Sequence, residues 1–172
     1  MHKVILVDDD DREQGQMEAM QAHKEGALHR AFSVFIVNDN GDFLLTQRAL
    51  NKPHSGGKWG NACCAHPQPG QNTLEAANNR LFKNLAIKTK LDNIYHFGYR
   101  VVFDNGLIEH ELDHVYTGRF SGAPTPDPDE VMAWKYVNPD FLIKDAKANP
   151  DNYAQSFKLS YEIVLMHTAI ID

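Results

Sequence analysis

The order of patterns along the sequence predicts an α+β domain or an α/β/α sandwich. Runs rich in β-branched and aromatic residues, separated by Asn-Gly and similar turn signals, indicate several strands. One strongly periodic segment in the middle of the chain indicates a helix, and further helical patterns close the sequence. Because strands and helices do not alternate regularly, the order argues against a doubly wound parallel sheet.

The predicted strands follow one another closely. They occupy residues 4–7, 31–38, 43–48, 59–66, 95–103, 108–120 and 132–137. The second and third are joined by the turn signal at 38–41, and the fifth and sixth by that at 104–106, so each pair is expected to form a hairpin. The fourth is a short strand or an extended segment. The polar residues 12–26 are expected to form a short helix or a loop.

The clearest helix begins near Thr73, which is the predicted N-cap, and continues to Ala86. Glu75 lies in its first turn, where a carboxylate complements the helix dipole. Its apolar positions recur at helical spacing: Leu74, Ala77, Leu81 and Leu85. Two further helices are expected at 139–147 and 153–169, and loops at 49–58 and 121–128.

Length and composition are those of a single globular domain over residues 1–172. The net charge of −6 argues against nucleic-acid binding, which needs a basic face. The two cysteines, Cys63 and Cys64, are adjacent and make no disulfide framework, which fits a reducing compartment. The N-terminal residues lack a signal-peptide pattern, and no apolar run is long enough for a membrane span. We therefore expect a cytoplasmic protein.

Three segments carry side chains that bind metals or move protons: His23 and His29, Cys64 and His66, and Glu109 and Glu111. Residues i and i+2 of a strand share a face, so the second and third pairs are each expected on one face. Imidazoles and carboxylates together suit zinc, manganese or magnesium, and a Cys-x-His pair also suits zinc. Read alone, a single histidine is more often a polar surface residue, and Cys64 is also compatible with a small buried hydrophobe.

A second group of residues is basic and surrounds the Gly-rich loop and the central helix: Arg48, Lys52, Lys58 and Arg80. Such side chains suit a diphosphate, since guanidinium groups make two-pronged contacts with phosphate oxygens. The alternative is a solvated basic loop.

The segments that carry these residues resemble one family. HKEGALHRAFSVFIVN, RALNKPHSGGKWGNACCAHP, YRVVFDNGLIEHELDHVY and DPDEVMAWKYV are similar to the type I isopentenyl-diphosphate isomerases, members of the Nudix superfamily. The similarity covers about residues 2–162, nearly the whole chain. The resemblance implies the Nudix α/β/α sandwich with mixed β-sheets, and a reaction that interconverts isopentenyl and dimethylallyl diphosphate.

The resemblance also implies roles for individual residues. The metal ligands would be His23, His29, His66, Glu109 and Glu111, two of them supplied by the N-terminal segment 1–30. The catalytic groups would be Cys64, Glu111 and Tyr99, and the diphosphate ligands Arg48, Lys52 and Arg80. The implied cofactors are one divalent metal (manganese, zinc or magnesium) and a magnesium ion bound with the diphosphate. The partner would be a small prenyl diphosphate, and the protein is expected to be a monomer or a homodimer.

Two expectations concern neighbouring or aromatic positions. The reaction passes through a species like a tertiary carbocation, which an aromatic face would stabilise. The family uses a late tryptophan for this, and the corresponding position here is assigned to Tyr153. Cys63 is expected on the opposite face from Cys64, in the core.

The sequence departs from the superfamily in its helix motif. Set on this chain, the motif's acidic positions fall on Gln71, Arg80, Lys83 and Asn84, none of which is acidic. Hydrolytic relatives use those carboxylates to bind magnesium and activate water, so a diphosphate hydrolase is disfavoured. Isomerases usually retain a glutamate at the Asn84 position, which predicts a weakened second magnesium site. An inactive relative that binds prenyl diphosphate is the other alternative.

Overall fold

The structure, a computed structural model, describes the backbone of residues 2–171 and the side-chain environments of residues 2–168. The strands are β1 Lys3–Val7, β2 Glu13–Glu18, β3 His29–Val37, β4 Phe43–Arg48, β5 Trp59–Gly60, β6 Cys63–Ala65, β7 Leu91–Val102, β8 Ile108–Arg119 and β9 Val131–Val137. The helices are α1 Ala19–Glu25, α2 Thr73–Leu85, α3 Pro139–Ala148 and α4 Gln155–Ile171, with a 3₁₀ turn at Pro150–Asn152.

The strand β3 is the centre of one connected mixed sheet. Along one edge it runs parallel to β8, from the pair His29 and Glu111 to the pair Val37 and Arg119. Its other edge is shared in turn by β1, β6 and β4, all antiparallel to it. The predicted hairpin of β3 and β4 is confirmed at its turn, but β4 then diverges and pairs along its length with β9.

Both faces of β3 are covered by helices, which explains why its residues are almost all buried. Phe32, Val34 and Ile36 pack in one apolar cluster with Ala77 and Leu81 of α2. Cys63 belongs to this cluster, as expected. The intervening residues of the strand point the other way, because side chains alternate across a sheet.

The second cluster forms against α3 and α4. Phe35 and Val37 of β3 pack there with Leu142 and Phe157. The layers are therefore helix, sheet and helix, and the predicted sandwich with a mixed sheet is confirmed.

The N-terminal segment differs from the prediction. Residues 12–26 contain a strand, β2, followed by the short helix α1, and β2 pairs antiparallel with β1 from Lys3 and Glu18 to Val7 and Glu13. The strand was missed because its residues, EQGQME, are exposed or half-buried and therefore show no apolar alternation. The paired strands are held to β3 through the pair Leu6 and His29.

Two helix starts also differ. Asn72, not Thr73, caps α2, since the Asn72 Oδ1 atom accepts a hydrogen bond from the Glu75 backbone N–H at 3.1 Å. The last helix begins at Gln155 rather than at residue 153, because the preceding residues form the 3₁₀ turn.

None of the helices in the described part of the chain is both long enough and apolar enough to cross a membrane.

Two leucines on α2 give a matched test of this packing. Leu81 is fully buried, whereas Leu74 on the same helix is 39% exposed. We expect Leu81→Ala to lower the free energy of unfolding by about 2–5 kcal/mol, since it removes core contacts and leaves a cavity. Leu74→Ala should change it by less than about 1 kcal/mol. Urea denaturation followed by circular dichroism measures both, and equal losses would contradict the assigned core.

Candidate active site

A cavity of about 680 Å³ opens beside β3. Its walls come from the N-terminal segment, β6, α2, β8 and the loop between β4 and β5. Most of the residues singled out in the sequence line it: His23, Arg48, Lys58, Cys64, His66, Arg80, Asn84, Tyr99, Glu109 and Glu111. The three that do not are His29, Lys52 and Tyr153.

The register of the sheet explains how the reactive groups meet. Glu111 on β8 stands opposite His29 on β3, and Tyr99 on β7 stands opposite Glu111 on its other side. Cys64 on β6 stands opposite Ser33, on the far edge of β3. Since paired residues project to the same face, these side chains gather on one face of the sheet.

The histidines converge on Glu111. The Nε2 atom of His66 lies 3.0 Å from Glu111 Oε1, and that of His29 lies 3.6 Å from the same oxygen. The two Nε2 atoms are 3.2 Å apart. His23 completes the group, and one ligand atom from each of the four residues lies within 4.8 Å of the others.

Hydrogen bonds to backbone carbonyls set the tautomers of two of these rings. The Nδ1 atom of His29 lies 2.8 Å from the Ala27 carbonyl oxygen, and that of His23 lies 3.2 Å from the Ile108 carbonyl oxygen. A carbonyl only accepts, so each Nδ1 carries a proton; the Nε2 atom of a neutral ring then keeps a lone pair, whereas that of a protonated ring can donate to a carboxylate. Such second contacts orient metal-binding imidazoles. The buried group of lone pairs and a carboxylate therefore fits a divalent metal.

The charge state of Glu111 agrees with this setting. Burial alone would raise its pKa, but the contacts with His29 and His66 hold the pKa of the carboxyl well below its usual range. Glu111 is consequently an ionised carboxylate within a buried site, where a charge needs partners.

Glu109 stands beside the four-residue group rather than within it. The Tyr99 hydroxyl donates to Glu111 Oε2 at 2.7 Å and approaches Glu109 Oε2 at 3.3 Å, so it bridges the two carboxylates. Burial, followed by the charge of Glu111, raises the pKa of Glu109 to about 8. Burial raises the pKa of Tyr99 well above its usual value, so it remains a neutral donor.

Cys64 is a half-buried thiol on the cavity wall. Its Sγ atom lies 3.3 Å from Ser33 Oγ and 3.3 Å from Asn61 Oδ1. Burial, followed by the charge of Asp113, raises the pKa of the thiol to about 12. Cys64 is therefore protonated at neutral pH.

Two of the basic residues, Lys52 and Arg80, meet at Glu130. Lys52 Nζ pairs with Glu130 Oε1 at 2.8 Å, and Arg80 Nη2 approaches Oε2 at 3.4 Å. Lys52 lies behind this carboxylate, whereas Arg48, Lys58 and Arg80 line the cavity. A carboxylate shared by two cations holds them together while leaving the site a net positive charge.

Asn84 on α2 is buried and lines the same side of the cavity. Its Oδ1 atom has no hydrogen-bond partner among the described residues. An unpartnered buried amide oxygen suits a cation or a bound ligand, although it lacks the charge of a glutamate.

The expected role of Tyr153 does not agree with its position. Its hydroxyl donates to Asp145 at 2.6 Å, and its ring stacks on Phe157 at a centroid distance of 5.5 Å within the second apolar cluster. The residue follows the 3₁₀ turn, which directs it into the core, and its neighbour Ala154 lines the cavity instead.

Sequence reasoning missed several residues of the site. His2 and His54 line the cavity, and the ring of His54 lies 6.2 Å from that of His23. The Nδ1 atom of His54 is 3.3 Å from Glu109 Oε1 but is not oriented to donate to it. His2 lies outside the segments that resemble the family, and His54 lies within one of them, RALNKPHSGGKWGNACCAHP, but has no assigned role there. Ser33, in contrast, could have been found, because it lies two positions beyond Ala31 on the face that carries His29.

The sequence matches known proteins over most of its length. The NUDIX domain family matches residues 27–158. The isopentenyl-diphosphate Delta-isomerase of Pectobacterium atrosepticum is 43% identical, over 92% of this chain and 89% of that protein. Isopentenyl-diphosphate Delta-isomerase 1 of Aromatoleum aromaticum is 45% identical, over 88% of this chain and 86% of that protein.

Solved structures share the fold at low sequence identity. A protein of Deinococcus radiodurans superposes with a TM-score of 0.71 at 16% identity, over 86% of this chain and 90% of that one. The MutT protein of Methanosarcina mazei superposes with a TM-score of 0.65 at 14% identity, over 83% of this chain and 95% of that one. Fold and sequence together assign the chain: it belongs to the isopentenyl-diphosphate Delta-isomerase family of the Nudix superfamily.

Proposed function

We propose that the protein interconverts isopentenyl diphosphate and dimethylallyl diphosphate. Family membership supports this activity, and one observation carries the assignment of the groups. Cys64 and Glu111 line one cavity from strands on opposite edges of β3. Adjacent strands are about 4.8 Å apart, so the two backbones are separated by about 10 Å across the sheet. That spacing leaves room for a small substrate between the side chains.

The reaction needs two proton-transfer groups. One proton is added to the terminal carbon of the double bond, and another leaves the carbon on the other side of the branched centre, so the double bond moves by one position. Between the two steps the substrate resembles a tertiary carbocation. A single group on one side cannot serve both carbons, because a proton donor or acceptor must be within hydrogen-bond reach of its atom.

Cys64 and Glu111 suit these two roles. The thiol is protonated at neutral pH, and the carboxylate is ionised and hydrogen-bonded to Tyr99. One group therefore holds a proton while the other can accept one. Because the isomerisation is reversible, each group serves as acid in one direction and as base in the other. Tyr99 keeps the carboxylate in place and can pass a proton to it.

We further propose that His23, His29, His66 and Glu111 hold a divalent metal, with Glu109 as an additional ligand. The convergent lone pairs and the carbonyl-bound Nδ1 atoms support this assignment. Manganese, zinc and magnesium all suit a nitrogen–oxygen ligand set. The ion would supply positive charge that keeps the neighbouring carboxylates ionised and orders the N-terminal segment.

The diphosphate would bind at the basic side of the cavity. Arg48 and Arg80 line it, and Lys52 contributes charge from behind Glu130. Lys58, which the family resemblance leaves without a role, also lines the cavity and donates to the Asp151 carbonyl oxygen. A magnesium ion bound with the diphosphate would meet Asn84 as a neutral ligand. The chain would act as one domain, as a monomer or a homodimer.

A relative that binds prenyl diphosphate without turnover is the second candidate. Asn84 in place of a carboxylate and the burial of Tyr153 in the core favour it. Hydrolysis of a diphosphate is disfavoured, since none of the motif's acidic positions is acidic here.

Incubating the protein with isopentenyl diphosphate in heavy water distinguishes these functions. We expect dimethylallyl diphosphate that carries deuterium, because the added proton comes from an exchangeable group. Mass spectrometry and phosphate release measure the products. Cys64→Ala should lower kcat at least about 100-fold, since it removes a general acid–base group. Released phosphate would indicate a hydrolase, binding without product an inactive relative, and full activity of Cys64→Ala would refute the assigned mechanism.

Metal binding can be measured without turnover. After chelation and dialysis, we expect wild type to take up one zinc, manganese or magnesium ion per chain. His29→Ala should weaken binding by about 100-fold or more, because it removes a buried ligand. His96→Ala is the matched control, since His96 is exposed on β7. Elemental analysis and competition with a coloured chelator give the affinity, and equal binding by both variants would exclude the proposed centre.

Asn84→Glu tests the second metal position. With the histidine site filled, we expect the variant to reach half-maximal activity at roughly tenfold lower magnesium concentration, because a carboxylate attracts the ion more strongly than an amide. Asn40→Glu adds the same charge in an exposed turn and should leave the titration unchanged. Identical magnesium dependence in wild type and Asn84→Glu would show that residue 84 does not contact that ion.

A further inference from the structure

A buried carboxyl group stands behind Cys64 and has no part in the chemistry described above. Asp113 on β8 is 1% exposed, and its Oδ2 atom accepts a hydrogen bond from Ser33 Oγ at 2.7 Å. Ser33 is itself buried and lies 3.3 Å from Cys64 Sγ. The three side chains therefore form a continuous line across three neighbouring strands, β8, β3 and β6.

Because a hydroxyl group has a single proton, the direction of hydrogen-bond donation along this line can be worked out. Ser33 has one proton to donate, and the short contact to Asp113 takes it. Toward Cys64 the hydroxyl oxygen can then only accept, so the thiol donates to it. Asp113 accepts through Oδ2 when it is ionised and when its proton is on Oδ1, so the direction is the same in both of these states.

Asn61 holds the thiol from a second side. Its amide nitrogen donates to the backbone carbonyls of Val34 and Cys63, at 3.0 and 2.9 Å. These two bonds fix the amide, which meets Cys64 Sγ edge-on: its nitrogen lies 3.2 Å and its oxygen 3.3 Å from the sulfur. The thiol thus lies between Ser33 and Asn61, and the orientations of both side chains are set by other groups.

Asp113 is expensive to bury if it serves only the fold. Its Oδ1 atom has no hydrogen-bond partner among the described residues, and Ser33 is its only side-chain partner there. An apolar side chain would pack there without an unpaired polar atom.

We propose that Ser33 and Asp113 are positioning residues for Cys64: Asp113 orients the Ser33 hydroxyl, and Ser33 holds the thiol in the orientation that faces the substrate. This inference rests on the proposed function, in which Cys64 exchanges a proton with the substrate carbon. In these roles Ser33 and Asp113 act through Cys64. Their loss should therefore reduce kcat rather than substrate binding.

A double-mutant cycle of Ser33→Ala and Asp113→Leu tests the proposal with isopentenyl diphosphate as substrate. Each single variant is expected to lower kcat by roughly 10- to 100-fold, because a small displacement of a reacting group has an effect of that size. KM should stay within about twofold, since the diphosphate contacts are unchanged. The double variant should be no slower than the slower single variant, because both changes disable the same contact.

Controls separate positioning from folding and from metal loss. Ser160→Ala removes another buried hydroxyl, in α4, and should keep wild-type kcat. Asp113→Asn keeps an acceptor oxygen and should restore kcat to within about threefold of wild type. Bound metal and Tm are measured for every variant, since Asp113 lies two residues from Glu111.

The outcomes are distinct. Wild-type kcat in Ser33→Ala, a loss confined to KM, or single effects that multiply in the double variant would each overturn the proposal. If Asp113→Leu does not fold, the proposal is decided by comparing kcat of Ser33→Ala with kcat of Ser160→Ala at matched metal content. Absence of product from wild type would refute the proposed function itself, whereas an active wild type with independent single effects refutes only the positioning roles.

Discussion

The hydrogen bonding of β3 along both edges is the constraint on which the site depends. The strand is buried between α2 on one face and α3 with α4 on the other, so it cannot shift without exposing one of the two apolar clusters. Its register with β8 therefore fixes Glu111 beside His29, and its register with β6 fixes Cys64 beside Ser33. The reactive groups are held by the same packing that stabilises the fold.

The electrostatics of the cavity divide it into two parts. Around Glu111, carboxylates and imidazoles meet at short distances in a buried place, which is unfavourable unless positive charge is shared among them. Around Glu130 the arrangement is reversed, and one carboxylate holds an excess of cations. A substrate with an apolar end and a diphosphate end matches this division. The overall charge of −6 conceals it, because the local balance determines what is bound.

Much of the fold could be predicted from the sequence, because β3, α2 and the β7–β8 hairpin carry strong periodic or turn signals. The edge strand β2 could not, since it buries little apolar surface. For the site, the two-residue spacing of Cys64 and His66 predicted that both lie on one face of a strand. The family resemblance supplied Tyr99. It also suggested Tyr153, whose ring lies in the second apolar cluster and not on the cavity wall.

Asp113 could have been predicted by extending the alternation of Glu109 and Glu111 along β8. It lies two residues after Glu111 on the same strand face, so extending the period of two by one step would have brought it into view. His54 offered no such signal, since its place beside Glu109 depends on the path of an irregular loop.

The four residues of the proposed metal site belong to separate parts of the chain. His23 lies in α1, His29 in β3, His66 after β6, and Glu111 in β8. Any ion that binds them all binds the folded chain and not the unfolded one. Its binding free energy is then added to that of folding, and grows with the logarithm of the free ion concentration. The lifetime of such a chain against unfolding and proteolysis is thereby tied to the metal supply of its surroundings, independently of whether any substrate is present.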